Sequence, residues 1–263
     1  MNFSFENKTV IITGAGRGIG KTTAISFAKA GANVMLASRT QSQLDSVEEE
    51  IRNFGGNVSS FLLDVKDKQA CADLIDKTVE VFGGVNVIVH SGSDYYYKFV
   101  DDLTDEDIQV HFDSNTNAAR WLLKAAAPYL SQTEDYGRFI AIGGIGGSVT
   151  SVAGMAAHCI AKSSLETFIK VAALEHGFTH KKILINTILP GMILSDRSIE
   201  MAGEETLLQA SPFVVPLQRP GTTNEIADVC MFLASPGATY IHGASIVVDG
   251  GITLGGRGQL PFN

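Results

Sequence analysis

The stretch TGAGRGIGK, residues 13–21, restricts the fold of this chain more than any other. It joins a β-branched run, TVII, to a run whose apolar residues recur at helical spacing, and it carries Gly14, Gly18 and Gly20. Glycine permits a tight turn and a close backbone approach that a Cβ would block. A helix that starts at such a turn offers unpaired N–H groups and the positive end of its dipole, a seat for pyrophosphate. Glycine clusters are common in turns, so the weight comes from position, between the first strand and the first helix of an alternating chain. The spacing is G-x-x-x-G-x-G, not G-x-G-x-x-G.

The alternation runs throughout. Seven short apolar runs read as strands: TVIITG, NVMLAS, VSSFLLDV, VNVIVHSG, RFIAIGG, ILINTILPG and SIVVDGG. Most are continuous rather than alternating, as expected of strands covered on both faces. Helical stretches lie between them, several closing near a glycine suited to a left-handed turn, and Thr222 with Glu225 has capping-box spacing. Strict alternation predicts an α/β fold, a doubly wound parallel sheet with helices on both faces, in one Rossmann domain spanning 1–263. Residues 192–220 break the rhythm as a long irregular insertion after the sixth strand. Such segments at the carboxyl edge of a sheet are commonly binding loops, and this one reads as a substrate lid.

A net charge of -8 argues against nucleic acid or an anionic membrane surface as a partner. No apolar stretch approaches the roughly 20 residues that span a bilayer, and MNFSFENKTV lacks the build of a signal peptide. Cys71, Cys159 and Cys230 are odd in number and far apart, which fits neither a disulfide framework nor a zinc spacing. The expectation is a cytoplasmic protein acting on a small molecule, with no metal.

The glycine turn, LLDV at 62–65, Asn115 in FDSNTNAARWLLKAAAPYL, NTILPG at 186–191 and the end EIADVCMFLASPGATYIHGASIVVDGG occur in this order. Together they resemble the short-chain dehydrogenase/reductase family over nearly the whole chain. The resemblance implies a seven-stranded Rossmann sheet, a nicotinamide dinucleotide, and a homo-oligomer, tetramer or dimer. An acid at the end of the second strand would accept from the ribose hydroxyls of NAD and repel a 2′-phosphate. This chain has Ser38 and Arg39 there, and Arg17 in the glycine turn adds a second cation. Planar guanidinium groups suit phosphate, so the expected cofactor is NADP(H). The resemblance places Gly14, Gly18, Ile19 and Gly20 against the cofactor, Asp64 and Val65 beside adenine, and Pro190, Gly191 and Ile193 at the nicotinamide carboxamide. The family's adenine-side Asn-Ala-Gly turn is altered to His90, Ser91 and Gly92, one residue short.

The family's usual chemistry uses a tyrosine that moves the substrate proton and a lysine four residues later that lowers its pKa and holds the nicotinamide ribose. A serine orients the carbonyl, and an asparagine supports a proton-relaying water. Asn115 and Lys162 match; the tyrosine position is His158, and the serine position falls on Gly144 or, counted back from His158, on Ile145. Neither has a hydroxyl. His158 is the candidate acid or base, expected to be neutral beside Lys162; the alternative is an imidazole that only fills the tyrosine's space. Cys159 points elsewhere on the helix, and His176 with His180 lacks a completing ligand. In SGSDYYYKF, the tyrosines Tyr95, Tyr96 and Tyr97 are candidates for stacking on a substrate or supplying a phenolic proton, with Asp94 available to a cationic nitrogen. The bland alternative is a loop that packs under the lid or on a neighbouring subunit. Ser148, Thr150 and Ser151 are further hydroxyls near the lost serine, and the closing GGRGQLPFN reads as an arm. Three functions stand: an NADPH-dependent reductase of an activated C=O, C=N or conjugated C=C; a non-redox catalyst that keeps NADP(H), such as an isomerase, cyclase or dehydratase; and an inactive relative.

Overall fold

Along each central strand, successive apolar side chains serve opposite cores. Val10 and Ile12 of β1 (Thr9–Thr13) enter one apolar cluster and Ile11 the other; Val34 and Leu36 of β2 (Asn33–Ser38) are split the same way from Met35 and Ala37. This period of two, with both faces buried, is why the runs lack alternation in sequence. One core is closed by α1 (Gly18–Lys29) and α2 (Gln41–Asn53), the other by α3 (Lys68–Phe82), which precedes β4 (Val87–His90). Fully burying a Leu, Ile or Phe stabilises by roughly 1.5–3 kcal/mol, so two such layers fix the sheet between them. The computed structural model describes residues 3–179 and 182–254; His180 and the closing arm, residues 255–263, lie outside them.

The remaining elements are α4 (Asp105–Phe112), α5 (Ala118–Leu130), β5 (Gly137–Ile142), α6 (Ala156–Phe178), β6 (Ile183–Pro190), β7 (Ile193–Leu194), α7 (Asp196–Ala202), α8 (Glu204–Val214), β8 (Gly221–Thr222), α9 (Thr223–Ala234) and β9 (Ser245–Val248). With β3 (Asn57–Leu62), seven strands form one parallel sheet in the order β3-β2-β1-β4-β5-β6-β9. The order reverses between β1 and β4, and a crevice opens outside their carboxyl ends, where open α/β sheets bind ligands. α3 closes on Gly83 in the left-handed conformation, and Thr222 and Glu225 form the expected reciprocal cap of α9.

Two features depart from the sequence reading. Residues 192–220 are not irregular: they carry β7, α7 and α8, and β7 pairs with β8. Ser195 caps α7 reciprocally with Ser198, a serine where the recognisable box has Glu or Gln, and Gly203 at φ 77 turns the chain into α8. A π-helical turn at Asp113–Asn117 joins α4 to α5 and carries Asn115. Such turns are frequent at functional sites.

Candidate functional site

A cleft of about 870 Å³ runs along the carboxyl edge of the sheet, from Ser38 and Arg39 past the start of α1 to His158 and Lys162. At its first end Gly14, at φ 69, passes so close to the β4 loop that a Cβ there would lie 2.8 Å from the Gly92 nitrogen. A Cβ on Gly20 would lie 2.2 Å from the Gly14 carbonyl oxygen. Gly18, at φ 55, is less confined, a Cβ there meeting Ser195 Cβ at 3.8 Å and Asp196 Oδ2 at 4.0 Å, and it lines the cleft with Arg17 and Ile19. Its N–H donates to Asp196 Oδ2 at 2.7 Å, and Arg17 Nη1 donates to Glu200 Oε1 at 2.5 Å. Two carboxylates of α7 therefore sit on the donors expected to take phosphate. Ser38 Oγ is buried with no partner, and Arg39 pairs with Asp94 at 3.0 Å.

Asp94 also takes Lys66 Nζ at 3.0 Å, so it is not free for a cationic nitrogen of a substrate. Asp94, from the β4 loop, thus neutralises the Arg39 guanidinium at the end of β2. Asp64 is likewise turned away from the cleft, accepting from the Lys66 nitrogen and pairing with its ammonium; Val65 lines the cleft in its place.

The shortened turn after β4 is well supported. Thr13 and His90 are register partners on neighbouring strands, and Thr13 Oγ1 lies 2.9 Å from His90 Nδ1. The same oxygen accepts the N–H groups of Ser91 and Gly92, each at 3.2 Å, so its own hydrogen goes to Nδ1. His90 is then the Nε2–H tautomer and donates to the Asn115 carbonyl oxygen at 3.2 Å. Burial first, and Lys162 second, hold its pKa down to about 4, which keeps it neutral. Asn115 does not line the cleft: its side-chain nitrogen donates to the His111 carbonyl at 2.8 Å, and its backbone carbonyl oxygen serves His90.

At the chemical end, α6 begins at Ala156 and sets His158 and Lys162 one turn apart on its buried face. Lys162 Nζ donates to the Ile142 carbonyl at 2.8 Å; burial lowers its pKa to about 7. An ammonium has three donors, so two remain for the cleft. Burial, then Lys162, then His111 drive His158 down to about 2, and its Nδ1 has no partner. A Cβ on Gly144 would lie 3.7 Å from His158 Nε2, and both Gly144 and Ile145 line the cleft.

The three tyrosines separate. The Tyr95 ring stands edge-on to His158, centroids 4.7 Å apart, and its hydroxyl donates to Met155 Sδ at 3.6 Å. Burial, and then Tyr97, raise its pKa, so it is a weak acid. Tyr97 lines the cleft and is exposed. Tyr96 leaves the site: its hydroxyl donates to Asp107 Oδ1 at 2.8 Å and its ring packs on His111. Ser148 turns from the cleft to Glu166, whereas Thr150 and Ser151 line it. Pro190, Gly191 and Ile193 line it opposite, at the end of β6.

His111 was not among the residues singled out from the sequence. It is fully buried on α4, and its ring centroid lies 6.3 Å from that of His158. The signal was present, since His111 stands four residues before Asn115, as His158 stands before Lys162.

A family model described as enoyl-(acyl carrier protein) reductase matches residues 14–253. The chain is a short-chain dehydrogenase/reductase. This short-chain dehydrogenase/reductase is 32% identical, over 96% of its length and 94% of the relative's, to an uncharacterized oxidoreductase of Mycobacterium tuberculosis. A 7α-hydroxysteroid dehydrogenase complexed with NADH and 7-oxo glycochenodeoxycholic acid superposes with a TM-score of 0.88 at 28% identity, covering 95% of this chain and 96% of that one. L-sorbose reductase from Gluconobacter frateurii, complexed with NADPH and L-sorbose, gives 0.90 at 26% identity, covering 96% and 99%. Among the described residues no helix is long and apolar enough to cross a membrane.

Proposed function

We propose that this short-chain dehydrogenase/reductase is an NADPH-dependent oxidoreductase with a modified catalytic set, reducing an activated C=O, C=N or conjugated C=C of a small molecule. The observation that carries the reading is one cleft with a glycine-bounded helix start and two guanidinium groups at one end and His158 with Lys162 at the other. The residues fit a dinucleotide. The orphaned Ser38 Oγ and Arg39 stand where the adenosine ribose would lie, the Gly18 N–H, now given to Asp196, would turn to phosphate once that carboxylate moves aside, and Lys162 keeps spare donors for the second ribose. The bound nicotinamide would supply hydride. His158, neutral, would hold the proton that the reduced substrate takes up, and it is a weaker donor than imidazolium, hence a substrate already activated. Tyr95, Tyr97, Val152 and Met155 make an apolar and partly aromatic wall suited to a flat substrate. α7 and α8 would serve as the lid of the single domain.

Calorimetry with NADPH and NADH tests the cofactor. NADPH is expected to bind at least about tenfold tighter, and Arg39→Ala to remove most of that margin. No heat from either dinucleotide sinks the reading; substrate conversion without NADPH consumption moves it to a non-redox catalyst. Glu200→Gln removes a carboxylate from Arg17 in the phosphate seat. Because the pair is partly exposed, the expected gain is about two- to fivefold in dinucleotide affinity. Unchanged or weaker binding would mean that Arg17 does not meet phosphate.

A further inference from the structure

Three buried polar atoms at the back of the chemical end lack a hydrogen-bond partner: His158 Nδ1, His111 Nε2 and Asn115 Oδ1. Unpaired buried polar atoms are costly and uncommon, and three on neighbouring residues ask for a common reason. The His111 ring is fixed by its Nδ1, 2.8 Å from the Asp107 carbonyl one turn back on α4. A carbonyl only accepts, so Nδ1 carries hydrogen and Nε2 is the site that gains or loses a proton. Asn115 donates its amide to the His111 carbonyl, which ties its orphaned oxygen to the same turn. The last turn of α4 thus packs against the first turns of α6 with two imidazoles at 82° to each other.

The chemistry gives the reason. A neutral imidazole that loses a proton from Nε2 becomes an imidazolate unless Nδ1 takes up another in the same event. His158 has no carboxylate beside it, and burial opposes its imidazolium. It can therefore act as an acid only by changing tautomer, with a donor behind Nδ1.

We infer that His111 is that donor: protonated at both nitrogens, it passes its Nε2 proton, through one water held by Asn115 Oδ1, to His158 Nδ1 as His158 releases its Nε2 proton to the substrate. This rests on the role given to His158 under the proposed function. The balance closes. Hydride from the reduced dinucleotide and one proton reach the substrate, the dinucleotide is oxidised, His158 exchanges tautomers without changing charge, and His111 ends neutral until solvent recharges it. Oxidation runs the same path backwards. His111 acts through His158 and is a relaying, not a substrate-touching, residue. The groups facing it are the Tyr96 ring at 4.4 Å from the β4 loop, His158 from α6, and Asp107 on its own helix, whose carboxylate is held by Lys98 and Thr104; Lys162 lies behind His158, and His90 of β4 reaches it through Asn115.

The test has two arms. In the unliganded protein, 15N-histidine NMR between about pH 5 and 9 is expected to show His111 gaining a proton at Nε2 with Nδ1 protonated throughout. The His158 nitrogens should shift in step while that ring stays neutral, and the shift should vanish in His111→Phe. A His158 that charges, or that ignores the His111 titration, overturns the relay. In turnover, His111→Ala is expected to lose about 10²-fold or more, to lose the fall in rate as His111 deprotonates, and to regain activity with added imidazole. Dinucleotide affinity should stay as in the parent. His111→Phe fills the space without a nitrogen, so a fully active His111→Phe also overturns the relay. A wild-type protein that oxidises no NADPH would instead defeat the proposed function, and the NMR arm still reads the imidazole pair.

Discussion

Gly20→Ala is expected to destabilise the protein by about 3 kcal/mol or more, lowering its melting temperature by roughly 6–12 °C for a chain of this size. The added methyl would sit 2.2 Å from the Gly14 carbonyl oxygen and 2.7 Å from its carbon, which are backbone atoms and not a flexible side-chain end. Gly14 cannot retreat. It is held at φ 69, and the space behind its own missing Cβ is filled by the backbone of Ser91 and Gly92. Relief therefore has to come from shifting α1 against the sheet, which disturbs Phe27 and Ala24 in the core. Gly84→Ala is the control: nothing lies within 4 Å of its Cβ position, and the change there should be small. A Gly20→Ala protein that melts with the parent would contradict this account of the glycine turn.

His158→Phe is expected to cut turnover by about 10²–10⁴-fold while leaving dinucleotide affinity unchanged. The imidazole is buried with the Tyr95 ring edge-on to it, so a phenyl ring of similar size keeps the packing and removes only the nitrogens. Lys162 and the glycine turn, which would hold the cofactor, are untouched. A loss confined to kcat assigns proton chemistry to the ring; an unchanged kcat makes His158 a space-filler in the tyrosine's place. Beside the position that a Gly144 Cβ would take stand His158 Nε2 at 3.7 Å and the Lys162 stem at 3.9 Å, and the substitution removes only the first.

Most of the fold was legible because its signals are local. β-branched apolar runs gave the seven strands of the sheet, glycines marked several helix ends, and Thr222 with Glu225 marked the start of α9. The helices within 192–220 were not, since the Ser195–Ser198 cap lacks the usual acid or amide and Pro212 lies inside α8. At the site, the spacing of His158 and Lys162 on one helix face survived into three dimensions. Partnerships between distant segments did not show in the sequence. Asp94 was read as free and is claimed by Arg39 and Lys66; Tyr96 was read as a catalytic candidate and is claimed by Asp107; Arg17 meets Glu200 across 183 positions. Each depends on which loops the sheet order brings together. No periodicity records that.

Arg197 of α7 donates to the carbonyl of Tyr95, the residue whose ring stands edge-on to His158. One wall of the cleft is therefore bolted to the other through a single residue that also props the imidazole. Were α7 to swing outward, as the proposed lid would, the bolt would slip and the prop would go with it. Under that proposal the histidine would stand square to a substrate only with the mouth shut and water fenced out.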